Sequence, residues 1–112
     1  MLSNMDCIFC KIVKREMPTS LVYEDEHTIA IKDIHPVAPV HLLVIPKEHV
    51  DEFLHLKKDN IFVAIMHTLQ HLVRENNLTD KGYRIEVNGG GAQLVHHLHV
   101  HLIGPIGHAP KV

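Results

Sequence analysis

Several features that define large classes of proteins are missing from this sequence of 112 residues. Its two cysteines are too few for the disulfide scaffold of a small secreted protein. No apolar run approaches the roughly 20 residues that a membrane-spanning helix needs, and the N-terminus lacks the apolar segment of a signal peptide. The formal net charge is −2, and basic residues form no run that would attract nucleic acid. We therefore expect a cytoplasmic protein that binds neither membranes nor nucleic acid.

The composition that remains is typical of a folded, soluble domain, with 46% hydrophobic and 21% charged residues. A chain of this length can enclose one hydrophobic core but not two, so we predict a single domain over residues 1–112. Histidine is the outlier, with 12 residues. Only some of them need to be functional.

Hydrophobic periodicity predicts an α+β domain, in which a mostly antiparallel five-stranded sheet packs against one long and one short helix. Asp6 is the predicted N-cap of the short helix, which ends before Pro18. The long helix is predicted from Lys58 to Asn76. The residues of its apolar stripe, expected to pack on the sheet, are Ile61, Ile65, Met66, Leu69, Leu72 and Val73. The predicted strands are Leu21–Glu24, Thr28–Lys32, Val40–Ile45, Tyr83–Val87 and Gln93–Ile103.

The last of these strands carries the most informative pattern in the chain. Read with a period of two, His97, His99 and His101 lie on one face, about 6.6 Å from one neighbour to the next. Three imidazoles in a row can address one small anionic group or one metal ion, and they exchange protons near neutral pH. The alternative is a half-exposed strand that is merely rich in histidine.

These segments together resemble the histidine-triad (HIT) proteins of the Hint type, which are purine nucleoside phosphoramidases and related nucleotidyl hydrolases. The resemblance extends from about Asp6 to Gly104. The segments that carry it are Cys7–Ile12, Tyr23–Glu26, Ala30–Ile34, Pro36, Ala38–Pro39, His41–Lys47, His49, Gly82–Arg84, Asn88 and Gln93–Ile103. The final element, in which three histidines alternate with apolar residues downstream of a glutamine, is the most specific.

A covalent route through a histidine suits the slow hydrolysis of a substituted phosphate, because neutral imidazole is a good nucleophile and a good leaving group. His99 is the natural nucleophile, since it has a histidine on each side. The resemblance implies that His99 forms a nucleotidyl-histidine intermediate and that His101 binds the phosphoryl oxygens. It also implies that His41, which matches the family's fourth histidine, joins a proton relay, and it includes His97, the first histidine of the triad, among the catalytic residues. His41 read from its apolar strand alone could equally be a buried, hydrogen-bonded core residue.

The resemblance also implies a purine nucleotide as substrate. The residues that would surround the base are Phe9, Ile12, Met17, Ile31 and Leu43, each of which could otherwise be a core residue. Asp33 would accept hydrogen bonds from the ribose hydroxyls, although Asp is also a common turn residue. Its neighbour Ile34 is a further predicted substrate-binding residue. Asn88 and Gln93 would donate amide N–H groups to phosphate oxygens across the glycine-rich turn between them.

Three departures from the family pattern bear on the leaving group. The loop from Asn88 to Gln93 is shorter than in many Hint proteins, and Leu94 stands where many of them carry a serine. The chain has no Trp and thus lacks the Trp-containing tail of the animal proteins.

A structural zinc is the second implication of the resemblance, and no organic cofactor is expected. Its ligands would be Cys7, Cys10, His49 and His97, a closed set of two thiolates and two imidazoles. The alternative is that both cysteines are small packing residues of the first helix. If zinc is bound, His97 is a ligand, and catalysis is left to the other three histidines.

Several function classes stay open on the sequence. The first is a nucleotidyl hydrolase that cleaves nucleoside phosphoramidates or acyl-adenylates, and the second is a dinucleoside polyphosphate hydrolase. The third is a zinc hydrolase with the metal on His97, His99 and His101, and the fourth is a nucleotide-binding regulatory module without turnover. The resemblance further implies a homodimer, formed through the exposed apolar face of the long helix and the strand Tyr83–Val87.

Overall fold

The computed structural model describes residues 7–108. Within this range the chain forms five strands, two α-helices and one 3-10 helix, joined by turns and loops. The helices are α1 (Ile8–Val13) and α2 (Asp59–Glu75), and the 3-10 helix is Phe53–His55. The strands are β1 (Leu21–Glu24), β2 (Thr28–Lys32), β3 (Val40–Pro46), β4 (Arg84–Val87) and β5 (Val100–Gly104). None of the helices in this range is long and apolar enough to cross a membrane.

The strands form one sheet in the order β1-β2-β3-β5-β4, and every neighbouring pair is antiparallel. The predicted α+β class with a five-stranded sheet is therefore confirmed. The long helix also has the predicted extent, because Lys58 and Asn76 are its two cap residues.

Each face of the sheet is covered by one helix. On one face α2 packs on a buried cluster that includes Ala30, Leu42, Val44, Val100 and Leu102. On the other face α1 packs on the buried residues Ile29, Ile31, Leu43 and Ile45. Successive residues of β3 thus alternate between two hydrophobic layers, which is why this central strand is almost wholly apolar.

One residue that was predicted to belong to the buried stripe of the long helix is exposed instead. Met66 is 40% exposed, whereas Thr68 is buried and its hydroxyl lies 2.7 Å from the hydroxyl of Thr28 on β2. Met66 follows the buried Ile65 by about 100° around the helix axis, and this rotation takes its side chain to the edge of the contact with the sheet.

The start of the last strand was predicted wrongly. The segment before Val100 is irregular, so β5 begins seven residues later than the alternating pattern suggested. Two contacts account for this. The N–H of Leu98 donates to the carbonyl of Val50 (2.6 Å), and the Pro46 carbonyl at the end of β3 accepts from the ring of His97 (2.8 Å). Side chains continue to alternate there, but the backbone does not pair with β3.

The first helix is capped differently from the prediction. Cys7 is its N-cap, and the Cys7 sulfur accepts a hydrogen bond from the N–H of Cys10 at 3.4 Å. The predicted cap, Asp6, lies outside the described residues.

Candidate active site and metal centre

Three polar side chains meet on the sheet face that carries α1. His41 on β3 and His101 on β5 share this face, because Leu43, two residues after His41, lies directly opposite His101. The Nε2 atom of His41 lies 2.9 Å from Nδ1 of His101 and 3.2 Å from Oδ2 of Asp33, which follows β2. We call Asp33, His41 and His101 the Asp/His triad. Its side chains are between 6% and 16% exposed, so the triad is largely shielded from solvent.

The hydrogen bonds around His41 fix which ring nitrogen carries its proton. The main-chain N–H of Val37 donates to Nδ1 of His41 at 3.1 Å. Neutral imidazole has one N–H, so we assign the proton of His41 to Nε2, where it faces His101 and the Asp33 carboxylate. His41 is therefore a buried, fully hydrogen-bonded residue and also a neighbour of the triad's other members.

The hydrogen bond from His41 determines the tautomer of His101. Because Nε2–H of His41 donates to Nδ1 of His101, the remaining proton of His101 lies on its own Nε2. Burial lowers the pKa of His101, and the adjacent His99 and His41 lower it further against the opposing effect of Glu86 and Asp33. At neutral pH His101 is thus an uncharged hydrogen-bond donor.

His99 has the opposite tautomer. Its Nδ1 lies 2.8 Å from the main-chain carbonyl of His97, which can only accept, so the proton is on Nδ1. In the neutral ring Nε2 holds the lone pair, and no hydrogen bond to that atom is formed within residues 7–108. The ring centroids of His99 and His101 are 5.3 Å apart, so the two rings are direct neighbours.

His97 directs its ring nitrogens elsewhere: Nδ1 faces two cysteine sulfurs and Nε2 faces the Pro46 carbonyl. It is fully buried and belongs to a second group with Cys7, Cys10 and His49, which we call the Cys/His cluster. Three imidazoles that address one group are therefore not found; His99 and His101 are neighbours, and His97 lies among the four residues that the resemblance offered as zinc ligands.

The donor atoms of the Cys/His cluster converge on one point. Nδ1 of His97 lies 3.3 Å from the Cys7 sulfur, 3.5 Å from the Cys10 sulfur and 3.1 Å from Nδ1 of His49. The Cys10 sulfur lies 3.2 Å from Nδ1 of His49. In a tetrahedral zinc site, ligand atoms are separated by about 3.5 Å (S to N) and about 3.3 Å (N to N).

Protonation in the cluster also fits a metal. Nε2–H of His97 donates to the Pro46 carbonyl, which leaves the Nδ1 lone pair facing the two sulfurs. Burial lowers the pKa of His97 to about 4, so the ring is neutral at pH 7. Burial, together with the neighbouring Cys7, raises the pKa of Cys10 to about 11. A thiolate at Cys10 therefore needs a cation beside it, and bound zinc would supply that charge.

The Asp/His triad has donors with similar spacing but the wrong protonation. Its three atoms also lie within 4.8 Å of one another. However, Nε2 of His41 carries a proton as long as Val37 donates to Nδ1, and a nitrogen that ligates a metal must be unprotonated. Between the two groups, the Cys/His cluster is the better candidate for a metal.

The residues predicted to hold the base are only partly brought together. Phe9, Ile12, Ile31 and Leu43 belong to one buried cluster under α1. In contrast, Met17 is 38% exposed and lies outside that cluster. Ile34, predicted to be a substrate-binding residue beside Asp33, is 85% exposed and also lies outside it. The edge of the Phe9 ring lies against both His97 (5.9 Å between centroids) and His99 (5.1 Å).

The glycine-rich loop is held by contacts that its sequence did not reveal. Gln93 is buried, and its amide nitrogen donates to the carbonyls of Asp51 (2.7 Å) and Val95 (3.0 Å). Both amide hydrogens are thus used within the protein, and Gln93 ties the loop to the segment after β3. The positive φ of Gly90 (62°) explains the need for glycine there.

Asp33 makes the turn contact that the sequence offered as the alternative to ribose binding, and it also faces His41. Its Oδ1 accepts from the N–H of His35 (2.8 Å), which is the expected turn contact, while Oδ2 faces His41. Two other participants were missed, the N–H of Val37 and the carbonyl of Pro46. Both are main-chain groups, for which a sequence offers no residue-type signal.

Comparison with known families agrees with this geometry. Residues 6–111 match the family model described as "Scavenger mRNA decapping enzyme C-term binding". Protein HitA of Neisseria gonorrhoeae is 41% identical over 103 residues, which covers 88% of this chain and 95% of that protein. The chain belongs to the histidine-triad (HIT) family.

Further HIT relatives have informative names. A 14 kDa zinc-binding protein of Zea mays is 40% identical over 110 residues, covering 92% of this chain and 84% of that protein. The adenylylsulfatase HINT1 of Arabidopsis thaliana is 38% identical over 109 residues, covering 91% and 73%.

Solved HIT structures have the same fold. A HIT family hydrolase from Clostridium thermocellum superposes with a TM-score of 0.87 at 43% identity, over 100% of this chain and 99% of that one. A histidine triad nucleotide-binding protein from Candida albicans gives a TM-score of 0.81 at 33% identity, over 87% and 73%.

Proposed function

We propose that this HIT protein hydrolyses nucleoside 5′-monophosphate phosphoramidates of adenosine or guanosine, and acyl-adenylates, through a nucleotidyl intermediate on His99. The observation that carries the proposal is the tautomer of His99. Its Nδ1–H is held by the His97 carbonyl, so the Nε2 lone pair is available for attack beside the Nε2–H of His101.

The reaction has two displacements at phosphorus. In the first, the lone pair of His99 Nε2 forms a bond to phosphorus, the phosphorus–nitrogen bond of the substrate breaks, and the leaving amine takes up a proton from solvent. In the second, water attacks phosphorus and gives up a proton to solvent, the bond to Nε2 breaks, and nucleoside monophosphate is released with His99 restored. His101 donates its Nε2–H to a phosphoryl oxygen and stabilises the charge that develops there.

The names of similar proteins support a nucleotide substrate and hydrolysis. The Arabidopsis relative is named an adenylylsulfatase, the C. albicans structure a nucleotide-binding protein and the C. thermocellum structure a hydrolase. A regulatory module without turnover is less well supported, because binding alone requires neither a free Nε2 nor a donor beside it.

A zinc hydrolase built on His97, His99 and His101 does not fit the geometry. Nε2 of His97 is bound to Pro46 and its Nδ1 faces the cysteines, while Nδ1 of His99 is bound to the His97 carbonyl. The three rings have no common point at which their lone pairs meet.

The test is turnover of adenosine 5′-phosphoramidate by the wild type, His99→Gln and His96→Gln. His96 is exposed and separated from His99 by two residues, so its variant is the matched control. We expect release of adenosine monophosphate from wild type and His96→Gln, and at least about a hundredfold slower release from His99→Gln. Wild type quenched in alkali, where a phosphorus–imidazole bond is stable, should carry labelled nucleotide on His99. Wild-type turnover by His99→Gln would refute the mechanism, and a parallel assay with a diadenosine polyphosphate decides between the two substrate classes.

We also propose that the Cys/His cluster holds a structural zinc. Its four ligands come from the protein and leave no open position, which is typical of structural sites. The name of the maize relative supports this assignment. Purified protein should contain one zinc ion, and its removal by a chelator should lower the unfolding temperature. Cys10→Ser should lose the metal, whereas Asp33→Asn, outside the cluster, should keep it. Metal-free protein with unchanged thermal stability would contradict the proposal.

A second copy of the chain is the proposed protein partner. β4 is at the edge of the sheet, and all four of its residues are exposed. Beside it lies an apolar groove of about 740 Å³, lined by residues of α2 and β4 that include Phe62, Met66, Ile85 and Val87. An unpaired edge next to an exposed apolar helix face supports association of two such surfaces across a two-fold axis.

A further inference from the structure

The Asp/His triad depends on a hydrogen bond from outside its three side chains. The loop between β2 and β3 contains Pro36 and Pro39, and proline has no N–H to donate. Val37, between them, directs its N–H to Nδ1 of His41, although its own side chain is 73% exposed. The hydrogen bond therefore does not require the valine side chain to be buried.

We propose that the main-chain N–H of Val37 is a positioning group that sets the tautomer of His41 and, through His41, that of His101. If the proton of His41 moved to Nδ1, two N–H groups would face each other across 3.1 Å. The lone pair of Nε2 would then face the Asp33 carboxylate at 3.2 Å. Both contacts disfavour this tautomer, so His41 donates from Nε2.

The consequence reaches the substrate side of the site. His101 accepts from His41 on Nδ1 and must present Nε2–H on the opposite side of its ring. With the tautomer of His41 released, His101 would spend part of its time with the proton on Nδ1. An unprotonated Nε2 repels a phosphoryl oxygen instead of binding it. This effect on turnover rests on the proposed function, whereas the tautomer assignment does not.

The direct test is the long-range ¹H–¹⁵N spectrum of the histidine rings in the full chain labelled with ¹⁵N-histidine. We expect protonated Nε2 and unprotonated Nδ1 for His41 and His101, with the reverse for His99. Val37→Ala, which keeps the N–H, should keep these assignments. A protonated Nδ1 on neutral His41 in the wild type would overturn the proposal.

The second test deletes only the N–H, by semisynthesis of the chain with 2-hydroxyisovalerate in place of Val37. The matched control carries lactate in place of Ala38, whose N–H forms no hydrogen bond among residues 7–108. We expect mixed His41 tautomers in the first ester, and kcat for adenosine 5′-phosphoramidate lower by about fivefold, the factor that one ordinary hydrogen bond supplies. KM should change little, and the control ester should keep the wild-type rings. Unmixed tautomers in the first ester, or equal mixing in both esters, would refute the role of Val37. Unchanged kcat with mixed tautomers would instead count against the proposed chemistry of His101.

Discussion

Acid should destabilise this protein through one buried histidine. His97 is fully buried, and burial lowers its pKa to about 4 from the ordinary 6.5. Between these two pH values the unfolded chain binds a proton at His97 that the folded protein does not bind. The free energy of unfolding therefore falls as the pH is lowered from 6.5 to 4, and no further loss from this residue occurs below that range. The 2.5-unit interval corresponds to about 3 kcal/mol, a large part of the stability of a small domain.

The measurement is urea unfolding of chelator-treated protein, followed by circular dichroism at several pH values from 7 to 4. His97→Gln retains an N–H that can reach the Pro46 carbonyl but cannot take up a proton. This variant should be less stable than wild type at pH 7, yet it should lose about 3 kcal/mol less on acidification. His96→Gln, at an exposed site, should follow the wild-type profile. Parallel profiles for wild type and His97→Gln would refute the assignment of acid sensitivity to His97.

Three further predictions concern packing and association. Leu102→Ala, at a fully buried position in β5, should lower the free energy of unfolding in urea by about 2–5 kcal/mol, and a loss below 1 kcal/mol would contradict the packing described. Thr68→Val removes the buried hydroxyl 2.7 Å from that of Thr28 and should cost about 1–3 kcal/mol in the same assay, whereas Thr68→Ser should cost less because the hydroxyl stays. Wild type should sediment as the proposed dimer, and Ile85→Asp, on the exposed edge strand, as a monomer. Lys14→Asp, at the end of α1 on the opposite face of the sheet, is the control, and a dimeric Ile85→Asp would place the interface elsewhere.

Regular elements were predictable because local patterns and tertiary packing agree on them. The bounds of β1 and β2 match the predicted strands, since alternating or continuous apolar residues end at turn residues on both sides. The early start predicted for β5 failed for a physical reason. Side-chain alternation requires only an extended chain, whereas a strand also requires backbone partners, and here Val50 takes the N–H of Leu98.

The sequence predicted which residues form the candidate site better than it predicted the hydrogen bonds that orient them. Spacing alone brought His99 and His101 to one face, and the family resemblance supplied His41 and His49. The direction of the His97 ring depends on a carbonyl 51 residues earlier in the chain, that of Pro46. No periodicity encodes such a contact. The N–H of Val37 is invisible for the same reason, because every residue other than proline carries one.

The position of Phe9 on α1 couples the Cys/His cluster to the surroundings of His99. It lies within one turn of both cysteines, and its ring leans on His97 and on His99 alike. Any event that shifts this short helix, such as oxidation of the two cysteine thiols, also moves the Phe9 ring that packs against His99, the proposed nucleophile. A descendant that lost both sulfurs could stay active only if new apolar contacts kept the helix in register with the sheet.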